Sequence, residues 1–139
     1  MPDADRLVID SSVFAAILLR EPGHEHLAAH LGTLRTACTA PFFRFEVANA
    51  IRKQRHWSTD DARGALKVLF ELPVEEDLLF EDASDAMDLA RAHDHPFYDT
   101  VFIALARRHG FPLWTLDRRQ ATIADKADVK VFALSTGSR

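Results

Sequence analysis

The chain has 139 residues, 47% of them hydrophobic, enough for one domain with a buried core and too few for two ordinary ones. Its net charge of −4 argues against a module that holds nucleic acid by overall attraction, since such domains are usually basic, but not against a site whose acids hold a cation. A lone cysteine, Cys38, rules out an internal disulfide. The opening Met1-Pro2-Asp3-Ala4-Asp5-Arg6 has no signal-peptide character, so a soluble, cytoplasmic protein without a membrane partner is expected.

The run Arg6-Leu7-Val8-Ile9 predicts a first strand that stops at Asp10. A helix capped by Ser11 or Ser12 should follow to about Arg20, where Glu21-Pro22-Gly23 ends it. A second helix is expected over 24–34. His26 and His30 lie one turn apart on it and read as a solvated face, because Ala28 stands where a zinc-protease pattern beginning at His24-Glu25 would need histidine. A strand is predicted over 36–40, with Cys38 as a buried small residue. After Pro41 a helix over 43–55 carries Glu46 near its first turn, together with Arg44, Arg52, Lys53 and Arg55. Ser58-Thr59-Asp60-Asp61 starts a helix to about Phe70, which Pro73 breaks, and an extended stretch near Val74 leads to a helix over 81–92. His93-Asp94-His95-Pro96 reads as a loop that borders the next helix, over 98–109, without supplying ligands. That helix holds Asp99 in its first turn and ends in Arg107 and Arg108 before a Gly110 cap. Phe111-Pro112-Leu113-Trp114-Thr115-Leu116-Asp117 is a strand ending in an acid, followed by Arg118 and Arg119. A last strand is expected over 129–134, and 135–139 form a flexible tail. Strands separated by helices predict an α/β domain over 1–139, with a mostly parallel sheet covered on both faces.

Four carboxylates in this scheme stand at strand ends or helix starts. Asp10 and Asp117 terminate strands; Glu46 and Asp99 occupy first turns, where the helix macrodipole alone would favour an acid. In open α/β sheets ligands bind outside the carboxyl ends of the strands, so Asp10 and Asp117 share an edge if their strands are parallel neighbours. Four acids in one cleft repel one another unless a cation is held there. Oxygen-only ligands suit Mg2+ or Mn2+, and such ions serve phosphoryl chemistry.

The blocks Val8-Ile9-Asp10-Ser11-Ser12-Val13, Phe45-Glu46-Val47-Ala48-Asn49-Ala50, Phe97-Tyr98-Asp99-Thr100-Val101-Phe102-Ile103-Ala104-Leu105-Ala106 and Trp114-Thr115-Leu116-Asp117-Arg118 together resemble the PIN-domain nucleases, and more narrowly the VapC-type toxins. The match runs in order over almost the whole chain. The resemblance implies a PIN-like three-layer fold, with a central sheet flanked by helices. It implies a Mg2+- or Mn2+-dependent endoribonuclease acting as the toxin of a type II toxin-antitoxin pair. Asp10, Glu46, Asp99 and Asp117 would be its catalytic and metal-binding residues, with Ser12 and Thr115 orienting the carboxylates. It further implies an RNA substrate, a homodimer and a cognate VapB-type antitoxin. Arg44, Arg118 and Arg119 are candidate RNA contacts.

Other chemistries fit less well. A haloacid-dehalogenase phosphatase needs a second aspartate where Ser12 stands, and a serine hydrolase needs glycines that flank neither Ser11 nor Ser12. The alternative is a non-cleaving PIN-like module that binds RNA or protein. Complete acids argue against it. Phe42, Phe43, Phe45, Phe97 and Tyr98 flank two of the acids and serve either the core or base stacking.

Overall fold

The computed structural model describes residues 5–134. In chain order its elements are β1 (Arg6–Ile9), α1 (Ser11–Leu18), α2 (His24–Thr33), β2 (Thr36–Thr39), α3 (Phe43–Arg52), α4 (Thr59–Glu71) and β3 (Glu75–Glu76), followed by α5 (Phe80–His93), α6 (Phe97–His109), β4 (Leu113–Trp114), α7 (Arg118–Lys126) and β5 (Val131–Phe132). The five strands form one sheet in the order β3-β2-β1-β4-β5, and every pairing is parallel. Parallel neighbours need crossover connections, which are right-handed almost without exception. From β1 the chain moves outward through β2 to β3 and then returns across the sheet to β4. Its first four helices therefore cover one face and α5 to α7 the other. Packing follows that division, with α1 against α2, α3 and α4 on one side and α6 against α5 and α7 on the other. The expected three-layer α/β architecture is present, in an all-parallel form.

Burial explains the layers. β1 carries three consecutive fully buried residues, Leu7, Val8 and Ile9, as a strand covered on both faces must. α6 crosses beneath β1 and β4 and buries seven consecutive residues from Thr100 to Ala106. Phe14 of α1 and Phe43 of α3, both 0% exposed, meet with ring centroids 4.4 Å apart and join those two helices over the sheet.

Several predicted boundaries move. The cap of α1 is Asp10 itself, whose carboxylate accepts from the Ser12 amide, rather than Ser11 or Ser12. α3 stops at Arg52, three residues short of the expected end. α7 lay outside the predicted elements: its sequence is polar, and of its buried residues Gln120, Ile123 and Ala124 only two are apolar, which leaves a weak periodic signal. His30 departs from the solvated reading. Its ring stacks on Phe132 at 5.0 Å and meets the edge of Trp114 at 5.2 Å, and burial holds its pKa below the ordinary value, helped by His26. Cys38 is buried in β2 as expected, and desolvation pushes its thiol up to about 11, which removes it from reactive chemistry. The expected tail, 135–139, lies outside the described residues.

One polar joint holds the α5 and α6 pair. Asp82, 2% exposed, accepts from the Leu79 amide at 2.9 Å and from Arg108 Nε at 2.8 Å, while Arg108 also reaches Asp77 at 2.5 Å. Asp82→Ala removes the acceptor for a helix-start amide and half of a largely buried ion pair. It should destabilise the protein by about 2–3 kcal/mol in urea unfolding.

Candidate metal centre

The sheet changes direction at β1, which lies between β2 and β4. Val8 pairs with Leu113 and Ile9 with Trp114, so Asp10 leaves the sheet beside the end of β4. Its amide donates to the Trp114 carbonyl at 3.1 Å, the last rung between the two strands. Asp117 follows three residues after Trp114 and N-caps α7, its Oδ1 accepting from the Gln120 amide at 3.0 Å. The two strand-end acids therefore share the carboxyl edge at the topological switch point, where ligands bind in such sheets. Glu46 and Asp99 reach the same edge from the first turns of α3 and α6.

Each carboxylate is held by a short-range contact. Ser12 Oγ donates to Asp10 Oδ1 at 2.5 Å and accepts from the Leu116 amide at 2.9 Å, which ties α1 to the loop after β4. Thr115 Oγ1 stands 3.4 Å from Ser12 Oγ and accepts from the Asp117 amide at 3.1 Å. Ser11 Oγ donates to Glu46 Oε1, joining α1 to α3. His95 Nε2 lies 3.8 Å from Asp99 Oδ2 and donates to Gln120 Oε1 at 2.8 Å. Ser11 was expected only as a cap and His95 only as a bordering residue; Gln120 had no expected role. The spacing of Gln120, Ile123, Ala124 and Ala127 is a helical signal that would have placed Gln120 on a buried face.

Burial dominates the electrostatics of the site, and repulsion between the acids adds to it. Burial pushes Asp10 up to about 6, against the pull of Ser12 and Thr115, with Asp99 adding to the rise. Glu46 is raised by burial, lowered by Ser11 and raised again by Asp99. Asp99 is raised by burial, lowered by His95 and raised by Asp117. Asp99 is thus the acid through which all four are coupled. Among the described residues no three acids, histidines or cysteines are already drawn tightly enough to enclose an ion. Asp10 and Glu46 are bonded to serines and Asp117 to a helix amide instead, while His95 stands beside Asp99. The donor set nevertheless fits a hard divalent cation: it is all oxygen, partly buried and short of positive charge.

Two of the three candidate RNA-contacting arginines are engaged in the fold. Arg44 bonds Glu76 at 2.5 Å and the carbonyls of Leu69 and Leu72, closing the end of α4 onto β3, and its guanidinium lies over the Phe43 ring. Arg119 Nη2 donates to the carbonyls of His93 and Asp94, each at 2.9 Å. Arg118 is exposed at the start of α7, next to Asp117. The aromatic residues divide as well. Phe43 is core, Phe42 packs between Tyr98 and Phe102, and Phe45 and Tyr98, 71% and 57% exposed, stand on the rim beside Glu46 and Asp99. A separate cavity of about 570 Å3 opens between α1 and α4, lined by the apolar Ile17, Leu18, Trp57, Ala65 and Val68 and by the charged Arg20, Asp60 and Asp61.

A model of the PIN domain family matches residues 7–126. Ribonuclease VapC3 of Pyrobaculum aerophilum is 31% identical over 121 residues, spanning 84% of this chain and 92% of its own. Among solved structures, VapC20 of Mycobacterium tuberculosis, a toxin that cleaves the sarcin-ricin loop, aligns with a TM-score of 0.66 over 84% of this chain and 93% of its own, at 16% identity. FitAcB from Neisseria gonorrhoeae aligns with a TM-score of 0.65 over 91% of this chain and 96% of its own, also at 16% identity. At that identity the two structures speak for the fold alone. The family follows from the sequence matches, which span the strands and helices that carry all four acids: the chain belongs to the PIN-domain family, among the VapC-type ribonucleases.

Proposed function

We propose that this chain is a Mg2+- or Mn2+-dependent endoribonuclease, the toxin of a toxin-antitoxin pair, and that Asp10, Glu46, Asp99 and Asp117 form its catalytic centre. The observation that carries the reading is geometric: Asp10 leaves the sheet beside the end of β4 at the switch point, Asp117 caps α7 on the same edge, Ser11 of α1 bonds Glu46, and Asp99 lies in the first turn of α6. A divalent cation bound there would activate the attacking water and offset charge on the phosphate and leaving oxygen. The chain's own part is positional. Ser12 and Thr115 orient Asp10, Ser11 orients Glu46, and the cap of α7 orients Asp117.

RNA is the substrate this edge suits. Phe45 and Tyr98 offer exposed ring faces beside the acids for unpaired bases, and Arg118 offers a cation for a neighbouring phosphate. An antitoxin of the VapB type is the proposed partner, with an apolar segment in the groove between α1 and α4. A homodimer would cover part of the exposed apolar surface, of which Phe80, 81% exposed, is the extreme case. We place the protein in the cytoplasm and read 1–139 as a single PIN domain; among the described residues no helix is long and apolar enough to cross a membrane.

The test is incubation of the purified chain with a panel of structured RNAs, with Mg2+ or Mn2+ and with chelator. Discrete products that appear only with metal support the proposal. Retention of RNA in a gel shift without any product would favour a binding module that does not cut.

A further inference from the structure

We propose that Gln120 and His95 are positioning residues that set the spacing between Asp99 and Asp117, with Arg119 as their outer brace. The inference rests on the reading of those two acids as metal ligands. Asp99 stands on α6 and Asp117 caps α7, so the gap between their carboxylates is the gap between two helix starts. Gln120 spans it. Its side-chain Nε2 donates to the Asp99 carbonyl at 2.7 Å, while its backbone amide donates to Asp117 Oδ1 at 3.0 Å. A single residue thus holds one acid by its main chain and the other by its side chain.

His95 completes the joint. Arg119 Nε donates to His95 Nδ1 at 3.3 Å, so the neutral ring carries its proton on Nε2, and Nε2 donates to Gln120 Oε1 at 2.8 Å. The amide of Gln120 is thereby fixed in one orientation, with its nitrogen toward Asp99. Arg119 also grips the His93 and Asp94 carbonyls, where the backbone turns through a left-handed Asp94 with φ 50°. The end of α5, the start of α6 and the start of α7 are clamped together. Gln120 is 1% exposed and His95 6%, and a buried polar pair is costly unless fully bonded. An apolar pair would pack α6 against α7 without that cost. What the polar pair adds is direction: its hydrogen-bond chain runs from Arg119 through His95 and the Gln120 side chain to the Asp99 carbonyl, and so fixes the residue whose backbone amide holds Asp117. Mg2+ and Mn2+ sites depend on such direction, Mg2+ above all, since it requires near-octahedral oxygen geometry.

The experiment is Mn2+ binding, followed by calorimetry and by the spin-resonance signal of free Mn2+, for the wild type, Gln120→Met, His95→Phe, His95→Gln and Arg119→Met. RNA cleavage is measured in parallel. Gln120→Met and His95→Phe should weaken Mn2+ binding by roughly 10–100-fold and lower kcat while KM for RNA holds. His95→Gln keeps a donor at similar reach and should restore most of the affinity. Arg119→Met removes a positive charge, which by electrostatics alone would strengthen cation binding; weaker binding is expected here because the brace is lost. Wild-type Mn2+ affinity in folded Gln120→Met or His95→Phe overturns the inference. If neither variant folds, wild-type affinity in the surface variant Arg119→Met overturns it instead. A wild type that binds no Mn2+ and cuts no RNA defeats the nuclease reading together with this inference. A wild type that binds and cuts, with variants to match, defeats this inference alone.

Discussion

Asp10→Asn should lower RNA cleavage by at least about 100-fold, the scale seen when one preorganised charge-stabilising group is removed, while raising the stability of the metal-free protein near neutral pH. The two effects have one cause. Asp10 is 5% exposed, and burial pushes its carboxyl up to about 6 from 3.8. The folded protein therefore holds that proton more tightly than the unfolded chain does. The stability this provides is complete below about pH 4 and is lost as pH rises through about 6, which amounts to about 3 kcal/mol. Asparagine is never charged and caps a helix as well as aspartate, and its oxygen can still accept from the Ser12 amide and hydroxyl. The stability gain of the variant over wild type should thus be small near pH 4 and large near pH 7.5, with metal chelated throughout. Urea unfolding at both values checks it. An equal difference at both would show that Asp10 is not a strained charge, and wild-type cleavage by the variant would remove it from the catalytic centre.

The second large effect is the reverse of the first. Mg2+ or Mn2+ should raise the melting temperature of the wild type, because a ligand that binds only the folded state stabilises it by about 2.7 kcal/mol at 100 times its Kd. For a chain of this size that is a shift of several degrees. Asp99→Asn should lose most of it, since Asp99 is the acid coupled to the other three. Protons compete with the ion for the raised carboxyls of Asp10, Glu46 and Asp99, so the shift should shrink from about pH 7.5 to about pH 5.5. Thermal melts across a metal titration at the two pH values measure both. A flat wild-type response to millimolar ion would count against a specific site, whatever the cleavage assay shows.

Much of this architecture was legible in local pattern. An apolar run marks β1 and a short Thr36-Ala37-Cys38-Thr39 stretch marks β2, helical periodicity and caps mark α1 to α6, and their alternation demands parallel strands with crossovers. The acids were legible for the same reason: Asp10, Glu46, Asp99 and Asp117 all sit where one local pattern gives way to another. α7 was hidden because a short helix that buries one glutamine, one isoleucine and one alanine leaves little apolar trace. The arginines show a different limit. Arg44 and Arg119 read as phosphate contacts by composition, yet both donate to backbone carbonyls remote in sequence.

The sequence by itself determined the element types up to β4 and the order of the four acids, because both depend on periodicities of a few residues. Tertiary structure alone decided that β4 lies next to β1, which turns two separate strand ends into one edge. It also decided that Gln120 bridges Asp99 and Asp117, that Ser11 holds Glu46, and that His30 is packed between Trp114 and Phe132. These contacts join residues that share no local pattern. They form only after hydrophobic burial has stacked the layers, when each buried polar group must find whichever partner the packing has brought within reach.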